Sequence, residues 1–382
     1  MLSYRTAGES HGRAVLAIVE GLPAGMKADL KLVDGELARR QGGYGRGGRM
    51  KIEADRVQVL AGLRRGVTLG SPVVLMVANR DFRIDDLRRC PPLYQPRPGH
   101  GDLAGGLKFL TADMRGILER ASARETAART AAGAFVRPLL GAAGIDVLAH
   151  VVSIGGVECR RQPAPASWRR ARDRSPVYTL DARAGEAMMA AIDVARRAGD
   201  TLGGIIEIVA TGVPVGLGSH VSADRRLDAR LAAALVSIQA IKGVEIGLAF
   251  AAALLPGSKV HDEILFNASK RGGPDLGFSR PANNAGGIEA GISNGQPIVV
   301  RAAMKPIATL GKPLASVDVR RKRPARAAQE RSDICAVPAA SVVGENVVAF
   351  ELAAALLEKT GGDSLAEVKA NLATFLAFAR EL

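Results

Sequence analysis

Aromatic and cysteine residues are scarce in this chain. Aromatic side chains make up 4% of its 382 residues, with a single tryptophan, so aliphatic side chains must supply most of the buried surface. The three cysteines, Cys90, Cys159 and Cys335, stand far apart and show no CxxC spacing. This pattern excludes a disulfide framework and a cysteine-based zinc site, and it is typical of a reducing compartment.

Targeting and membrane signals are also lacking. The amino terminus, MLSYRTAGESHG, has no basic segment followed by an apolar run, and it therefore predicts no secretory signal peptide. The longest apolar stretch, around residues 248–256, is far shorter than the ~18 residues that a membrane span requires. We therefore expect a soluble, cytoplasmic protein.

Acidic residues are outnumbered by basic ones. Lys and Arg total 52 against 38 Asp and Glu, which gives a net charge of +14. Such a composition can reflect the host alone, or it can indicate an anionic partner, either nucleic acid or a small molecule carrying phosphate and carboxylate. The length suits one large domain or two ordinary ones. Since no linker or repeat interrupts the chain, we expect a single domain over residues 1–382.

Short alternating runs predict strands at residues 51–60, 147–154, 205–213 and 297–304. Longer helical segments are mixed with them, without a regular strand–helix–strand alternation. The pattern therefore predicts an α+β fold rather than a doubly wound sheet.

Three segments predict helices. Residues 112–140 form a long alanine-rich segment. Asp224 is expected to cap a second helix, and Ser364 with Glu367 forms the pattern of a capping box for the last one. The second helix has one apolar face, made of Leu227, Leu231, Leu235 and Ile238.

Two glycine-bordered segments near the amino terminus carry polar side chains suited to chemistry. In Gly-Glu-Ser-His-Gly, residues 8–12, the glycines let backbone approach a ligand beside Ser10 and His11. Residues 39–49 read RRQGGYGRGGR, and their Gly-x-Gly-x-x-Gly pattern lies between a helix and a strand, the reverse of a dinucleotide-binding turn. An anion-binding loop is one interpretation of these arginines. A solvated basic loop and an RGG-type RNA-binding segment are the others.

Three more basic segments follow. Residues 97–102, Arg-Pro-Gly-His-Gly-Asp, hold His100 in a stiff turn, where it could donate a proton to a leaving phosphate or be an ordinary turn residue. Arg120 and Arg124 share a helix face that by default is solvated or pairs locally with Glu119 or Glu125. Residues 305–309 precede a basic run at 320–331, for which a flexible solvated segment is the default interpretation.

These segments favour a small anionic ligand. Arginine recurs beside glycine and histidine, whereas the aromatic side chains that stack on bases are few. No metal-ligand spacing is present in the sequence. Phosphate and carboxylate groups on a small molecule therefore explain the arginines better than nucleic acid does.

Six ordered motifs make the sequence resemble the chorismate synthase family over essentially its whole length. They are GESHG at 8–12, RRQGGYGRGGRMKIE at 39–53, RPGH at 97–100, SARETA at 122–127, GISNGQ at 291–296 and ERSDICAVPAA at 330–340. The resemblance implies a carbon–oxygen lyase of the shikimate pathway, which makes chorismate for aromatic amino acid biosynthesis. It would remove phosphate from 5-enolpyruvylshikimate 3-phosphate by 1,4-anti elimination, using reduced FMN with no net redox change.

The resemblance also implies roles for individual residues. His11 would be an acid near the reduced flavin with Ser10 beside it, His100 would protonate the departing phosphate, and Asp333 would relay the proton from flavin N5. The substrate would be bound by Arg40, Arg46, Arg49, Arg97 and Arg124. Arg40 and Arg46 are also the positions associated with NADPH in members that reduce their own flavin. The flavin would be held by Arg120, Ala121, Ser122, Gln239, Ala240, Ala290, Lys305, Pro306, Ile307, Ala308, Thr309 and Arg331.

Three positions depart from the family pattern. Gly101 stands where Ala is common, Ala290 where Gly is expected, and Ala308 where a hydroxyl is usual. The last two put methyl groups at expected flavin contacts, where they would alter FMN affinity rather than the chemistry.

The family fold implied by the resemblance is a β-α-β sandwich, with central helices between two antiparallel sheets, assembled as a homotetramer. Neither a membrane nor a nucleic-acid partner is expected. Two alternative functions are an NADPH-dependent flavin oxidoreductase and a basic nucleic-acid-binding protein.

Overall fold

The strands are mostly short, and nine of them form two larger sheets. The structure, a computed structural model, describes residues 1–47, 54–160, 164–330 and 332–382. In chain order the strands are β1 (Ser3–Ala7), β2 (Ala14–Glu20), β3 (Val57–Ala61), β4 (Leu63–Arg64), β5 (Val67–Thr68), β6 (Val73–Ala78), β7 (Asp146–Ile154), β8 (Val157–Glu158), β9 (Gly204–Thr211), β10 (Ile241–Ile246), β11 (Leu265–Phe266), β12 (Phe278–Ser279), β13 (Ile288–Glu289), β14 (Ile292–Ser293), β15 (Ile298–Met304), β16 (Ala315–Asp318) and β17 (Arg323–Arg326).

The helices range from one turn to more than six. In chain order they are α1 (Leu30–Gln41), α2 (Asp102–Lys108), α3 (Arg115–Ala121), α4 (Thr126–Ala142), α5 (Trp168–Arg174), α6 (Ala182–Ala198), α7 (Leu227–Val236), α8 (Ala249–Ala252), α9 (Gly257–Val260), α10 (Val337–Thr360) and α11 (Leu365–Glu381).

Both larger sheets are antiparallel throughout. The first has the strand order β1-β2-β6-β3, and the second has the order β10-β15-β9-β7-β8. In β2 and β15 buried positions alternate with more exposed ones, as burial of a single face requires. The strands predicted at 147–154, 205–213 and 297–304 are confirmed as β7, β9 and β15.

A layer of helices lies between the two sheets. α4 packs on β2 and β6 of the first sheet, α10 packs on β7 and β9 of the second, and α1 lies against both helices. Small residues bring α4 and α10 close together, since a Cβ atom at Gly133 would lie 2.1 Å from the backbone oxygen of Asn346. The α+β fold with central helices between two antiparallel sheets is therefore confirmed.

Three local predictions need correction. The helix expected at 112–140 is divided into α3 and α4, because Ser122 is extended and its side chain accepts the Arg124 amide in a 3-10 turn. Asp224 does not cap α7; it lies in a separate 3-10 turn, and the Leu227 amide donates to the Gly291 carbonyl instead. The strand expected at 51–60 begins only at Val57, and residues 51–53 lie outside the described part of the chain.

Other helix predictions are confirmed. Leu227, Leu231, Leu235 and Ile238 are all buried. The capping box of Ser364 and Glu367 is present at the start of α11.

The basic run at 320–331 is not simply a flexible segment, because part of it forms the β16–β17 hairpin, whose turn is held by Asp318 accepting the Arg320 and Arg321 amides.

Helix α10 is a longer apolar segment than the sequence analysis expected. α10 is long and apolar enough, by length and composition, to cross a membrane, so the longest apolar segment is not the one around residues 248–256. In the structure 89% of its most apolar window is buried inside the protein. Its apolar surface is therefore used in the central helix layer.

A carboxylate buried on α10 ties the layer together. Glu345 accepts hydrogen bonds from Arg39 of α1 at 3.0 Å, Arg137 of α4 at 2.9 Å and Arg172 of α5 at 2.9 Å. It also accepts the backbone amide of Ala149 in β7 at 2.8 Å. Burial raises the pKa of Glu345, but the three arginines outweigh burial and lower it to about 2. The group is therefore ionised and fully paired.

We predict that Glu345→Gln destabilises the protein by about 3–5 kcal/mol, because it leaves buried arginines without their carboxylate. The lowered pKa makes the stabilisation complete above the ordinary glutamate pKa of 4.5 and lost as pH falls toward 2. The difference between variant and native chain, measured by urea unfolding, should therefore shrink in acid. Glu158→Gln is the control, since its exposed pair with Arg160 should be worth less than about 1 kcal/mol. Equal stability of both variants at pH 7 would contradict this account.

Candidate functional site

The predicted site segments converge at one end of the sandwich. Glu125, at the start of α4, accepts from Thr6 of β1 at 2.6 Å and from Gln239, beyond the end of α7, at 3.1 Å. Next to Gln239, the Ala240 carbonyl accepts the Lys305 amide at 2.9 Å. Loops from both sheets therefore meet around the amino-terminal end of α4.

His11 lies in a buried cluster between the β1–β2 loop and α3. Its Nδ1 is 2.9 Å from Oε1 of Glu119, whose Oε2 accepts the His11 amide at 2.7 Å. Ser10 lies beside it and accepts a hydrogen bond from the Ser122 hydroxyl at 3.1 Å. Burial raises the pKa of Glu119, but its hydrogen bonds and charge interaction with His11 outweigh burial and lower it. A charged carboxylate thus orients the imidazole.

Two predicted arginines share one buried carboxylate. Arg124 donates to both oxygens of Asp55, at 2.6 and 2.8 Å, and Arg40 donates to the same group at 2.9 Å. Arg124 also donates to the Asn79 side chain at 2.6 Å, and the Asn79 amide holds the Gly12 carbonyl at 2.7 Å. Arginines 40 and 124 are therefore rigidly connected to the loop that carries His11.

His100 and Arg97 form a second pair on a carboxylate. His100 Nδ1 lies 2.6 Å from Oδ1 of Asp102, and Arg97 donates to Asp102 through Nε at 2.9 Å and Nη2 at 3.0 Å. Burial raises the pKa of Asp102, but His100 and Arg97 lower it far below its usual range. Arg97 also donates to Thr309 at 2.9 Å, which brings in the 305–309 loop.

Asp333 and Arg46 form a third ion pair. The Arg46 guanidinium lies 2.5 Å from Asp333, and the Gly47 amide donates to the same carboxylate at 2.7 Å. The following residue, Ile334, accepts the Leu202 amide, while Thr201 donates to the Ile307 carbonyl at 2.8 Å. The segment around Asp333 and the 305–309 loop are thus fixed to the same turn.

Most residues expected to hold flavin lie around this cluster. Arg120 donates to Thr6, Ser122 bonds Ser10, and Lys305 donates to the Gly99 carbonyl at 2.9 Å. The Gln239 side-chain oxygen is buried and accepts no hydrogen bond from the described residues, which leaves it available to a ligand donor. The adjoining cations and this free acceptor fit a phosphate-bearing cofactor with polar ring edges. The remaining members of these segments are Ala121, Ala240, Pro306, Ile307, Ala308 and Thr309.

Ala290 is not brought to this cluster within the chain. It lies in the turn between β13 and β14, and its neighbour Gly291 bonds Leu227 at the start of α7. Gln239 follows the other end of α7, which is ten residues, or about 15 Å, long. Arg49 and Arg331, also expected at the site, lie outside the described part of the chain.

Two other features of the structure bear on where the site is. The ligating atoms of His11, Cys90 and Glu119 lie within 4.8 Å of one another, close enough to hold a metal ion. However, burial and Glu119 raise the pKa of Cys90 to about 11, and the Arg115 guanidinium lies 3.9 Å from Glu119, which opposes a cation.

A cleft of about 870 Å³ lies at the opposite end of α4, beside Arg137 and Arg169, and contains none of the predicted site residues.

The sequence analysis missed the acidic partners of the site. Asp55, Asp102 and Glu119 hold the predicted arginines and histidines, and Asn79 joins two of the loops. Asp102 could have been found, because it stands two residues after His100 in a tight turn. Asp55 and Glu119 carry no such signal, since their partners are distant in sequence.

The fold and the site together define an α+β protein in which loops at one end of the sandwich gather arginines and two carboxylate-bound histidines. The chorismate synthase family model matches residues 2–357. Chorismate synthase from Geobacter sulfurreducens is 54% identical over 392 residues, covering 100% of both chains, and that from Desulforudis audaxviator is 56% identical, covering 98% of this chain and 97% of its own. A crystal structure of chorismate synthase superposes with a TM-score of 0.80 at 41% identity, covering 100% of this chain and 99% of its own. The chain belongs to the chorismate synthase family.

We predict that Ala290→Gly stabilises the protein. Ala290 is exposed and adopts φ +48°, a left-handed conformation that costs a residue with a Cβ about 1–2 kcal/mol. The greater freedom of glycine in the unfolded chain offsets about 0.4–1 kcal/mol. Thermal unfolding should show a net gain of about 0.5–1 kcal/mol. Ala187→Gly, on an exposed position of α6, is the control and should lose about 1 kcal/mol. A loss in both variants would contradict strain at Ala290.

Proposed function

We propose that this chain makes chorismate by 1,4-anti elimination of phosphate from 5-enolpyruvylshikimate 3-phosphate in the shikimate pathway, with reduced FMN and no net redox change. Family membership supports the reaction. The observation that carries it is the presence of two imidazoles, each on a charged carboxylate, within one cluster of arginine-bearing loops. An elimination that loses a proton and a dianionic phosphate needs both proton-transfer groups and cations.

His100 is proposed to protonate the departing phosphate. Its Nδ1 is held by Asp102 at 2.6 Å, and Nε2, which lies 3.3 Å from the Arg97 guanidinium, is the nitrogen proposed to face the phosphate. Arg97 lies within 3.0 Å of the same ring and would bind the phosphate oxygens beside it. Neutralisation by Arg97 and protonation by His100 would both lower the charge on the leaving group.

His11 is proposed to supply a proton near the cofactor, oriented by Glu119 and with Ser10 beside it. Asp333 would accept and pass on the proton removed from the substrate. Its pairing with Arg46 and the Gly47 amide keeps it fixed. Arg40, Arg124 and Arg49 complete the proposed set for the substrate carboxylates.

Reduced FMN, when bound, would supply the electron density that helps phosphate to leave. The residues proposed to hold it are Arg120, Ser122, Gln239, Lys305 and their neighbours, with Arg331 and Ala290 expected on the basis of the family. Arg40 and Arg46 are proposed for NADPH if the chain reduces its own flavin. A homotetramer and a cytoplasmic location stay predictions.

An anaerobic assay tests the proposal. Chemically reduced FMN and 5-enolpyruvylshikimate 3-phosphate are mixed with the protein, and chorismate absorbance and phosphate are followed together. Equal formation of both without net flavin oxidation is expected. Net reduction of the substrate would indicate the alternative flavin oxidoreductase. Absence of both products, together with salt-sensitive binding of nucleic acid, would indicate a nucleic-acid-binding protein.

We predict that His11→Ala and His100→Ala each lower kcat by about 10²–10⁴-fold, the usual loss when an acid–base group is removed. Circular dichroism should show an unchanged fold in both variants. His220→Ala is the control, because His220 is exposed and precedes the start of α7, whereas Gln239 follows the other end of that helix. Near-normal turnover in both site variants would contradict the roles proposed here.

We predict that Arg46→Gln chiefly raises KM for the substrate, by about tenfold to a hundredfold. The reason is the loss of charged hydrogen bonds, each worth about 1.5–3 kcal/mol. Arg56→Gln serves as the control, since Arg56 is exposed and pairs only loosely with Asp34 at 3.2 Å. Steady-state kinetics with reduced FMN separates the two parameters. An unchanged KM in Arg46→Gln would rule out a substrate contact at this position.

A further inference from the structure

The second ring nitrogen of His11 faces a cation. Nε2 lies 3.1 Å from the Arg83 guanidinium and 3.7 Å from a carboxylate oxygen of Asp81. The loop that carries these two residues is fixed to the imidazole's own backbone, since the Arg83 and Ile84 amides both donate to the His11 carbonyl at 3.0 Å. Backbone hydrogen bonds of this loop therefore hold Arg83 beside His11.

Hydrogen-bond chemistry decides where the proton on His11 sits. A guanidinium has donors and no acceptor, so Nε2 must accept from Arg83 through its lone pair. The charged carboxylate of Glu119 is an acceptor, so Nδ1 carries the hydrogen on the other side. The arrangement describes a neutral imidazole protonated at Nδ1 alone.

A neutral His11 cannot be the acid that the proposed function requires. Nε2 must first take a proton, and an N–H at Nε2 would point at the Arg83 donor. We propose that Arg83 is a positioning residue that keeps His11 neutral until an anionic ligand draws the guanidinium away, so that ligand binding and protonation of His11 are coupled. The proton comes from solvent, and Nε2 is left facing Asp81. This inference rests on the proposed function, in which His11 supplies a proton.

The groups around the imidazole suit such a change. The carboxylate of Glu119 lies 2.9 Å from Nδ1, and that of Asp81 lies 3.7 Å from Nε2 on the other side of the ring. Three arginines also face these carboxylates: Arg83 lies 3.4 Å and Arg89 lies 3.3 Å from Asp81, and Arg115 lies 3.9 Å from Glu119. The Cys90 thiol donates to Glu119 and stays neutral because its pKa is raised.

Arg83 is also free enough to move. A quarter of its side chain is exposed, and its other contacts are the Arg89 carbonyl at 3.2 Å and Asp81 at 3.4 Å. Arg124, in contrast, is almost fully buried and bound by Asp55, Asn79 and the Ala78 carbonyl. An incoming phosphate or carboxylate would therefore attract Arg83 at lower cost than Arg124.

The test reads the protons on His11 directly. The full chain is labelled with ¹⁵N-histidine, and the ring resonances of His11 are assigned by their loss in His11→Gln. At pH 7 without ligand, His11 should be neutral with its proton on Nδ1. Addition of 5-enolpyruvylshikimate 3-phosphate with oxidised FMN, which does not turn over, should give a ring protonated on both nitrogens.

Variants distinguish the effect of the Arg83 contact from a general effect of removing one positive charge. Arg83→Met should raise the doubly protonated fraction of His11 at least fivefold at pH 7 without ligand, and Arg83→Lys, which keeps a cationic donor, should restore the native state. Arg88→Met removes the same charge from an exposed position of the same loop and should change nothing.

Three results would overturn the inference: a proton on Nε2 in the free protein, no change in His11 on ligand addition, or equal effects of Arg83→Met and Arg88→Met. If chorismate forms but the protonation of His11 does not change when ligand is added, the coupling is wrong and the proposed reaction stands. A responsive His11 in a protein that forms no chorismate would support the coupling and overturn the reaction.

Discussion

The ion cluster around Glu345 is the constraint on which the architecture depends. One buried carboxylate receives arginines from α1, α4 and α5 and the backbone of β7, so it links the helix layer to the second sheet. Burying several charges is costly unless all are paired, and a one-residue shift of α10 would remove from three guanidinium groups the buried carboxylate that they share. The cluster therefore fixes the register of α10 against its neighbours. α4 packs on α10 through small residues, which fixes the helix end where the site loops gather.

In the loops of the site, buried carboxylates likewise hold basic side chains in place. Asp55 holds Arg40 and Arg124, Asp102 holds Arg97 and His100, and Glu119 holds His11. Asp55 and Glu119 lie on different loops or helices from the side chains that they hold. Asp102 instead closes the tight turn that contains Arg97 and His100. Neighbouring cations repel one another, and the carboxylates between them reduce that repulsion. The basic charge of the sequence is thus a poor guide to the local field, because much of it is already paired.

The sequence predicts local features better than long-range ones. The strands β7, β9 and β15 and the capping box at Ser364 were predictable, because each depends on side chains a few residues apart. The division of 112–140 at Ser122 was not, since alanine-rich composition continues through a turn that is set by contacts with Ser10. His11, His100 and the arginines were recognisable beside glycines. Glu119 and Asp55 were not, because their meaning comes from partners 108 and 69 residues away.

The pairing of every described arginine in the proposed substrate set changes how binding must be understood. Arg40, Arg46, Arg97 and Arg124 each lie within 3.0 Å of a carboxylate, so an anionic ligand does not enter a set of bare charges. A ligand would have to share guanidinium hydrogens with these partners or displace a carboxylate, since in Arg97 and Arg124 all three nitrogens already donate. Where the carboxylate is buried and shared, as Asp55 is, displacement is costly and the arginine acts as a fixed donor. Where the pair is partly exposed, as Arg46 with Asp333 is, exchange of the arginine's partner costs less. The degree of burial of each pair therefore divides the arginines into those that are fixed by their carboxylate and those whose carboxylate is easier to exchange.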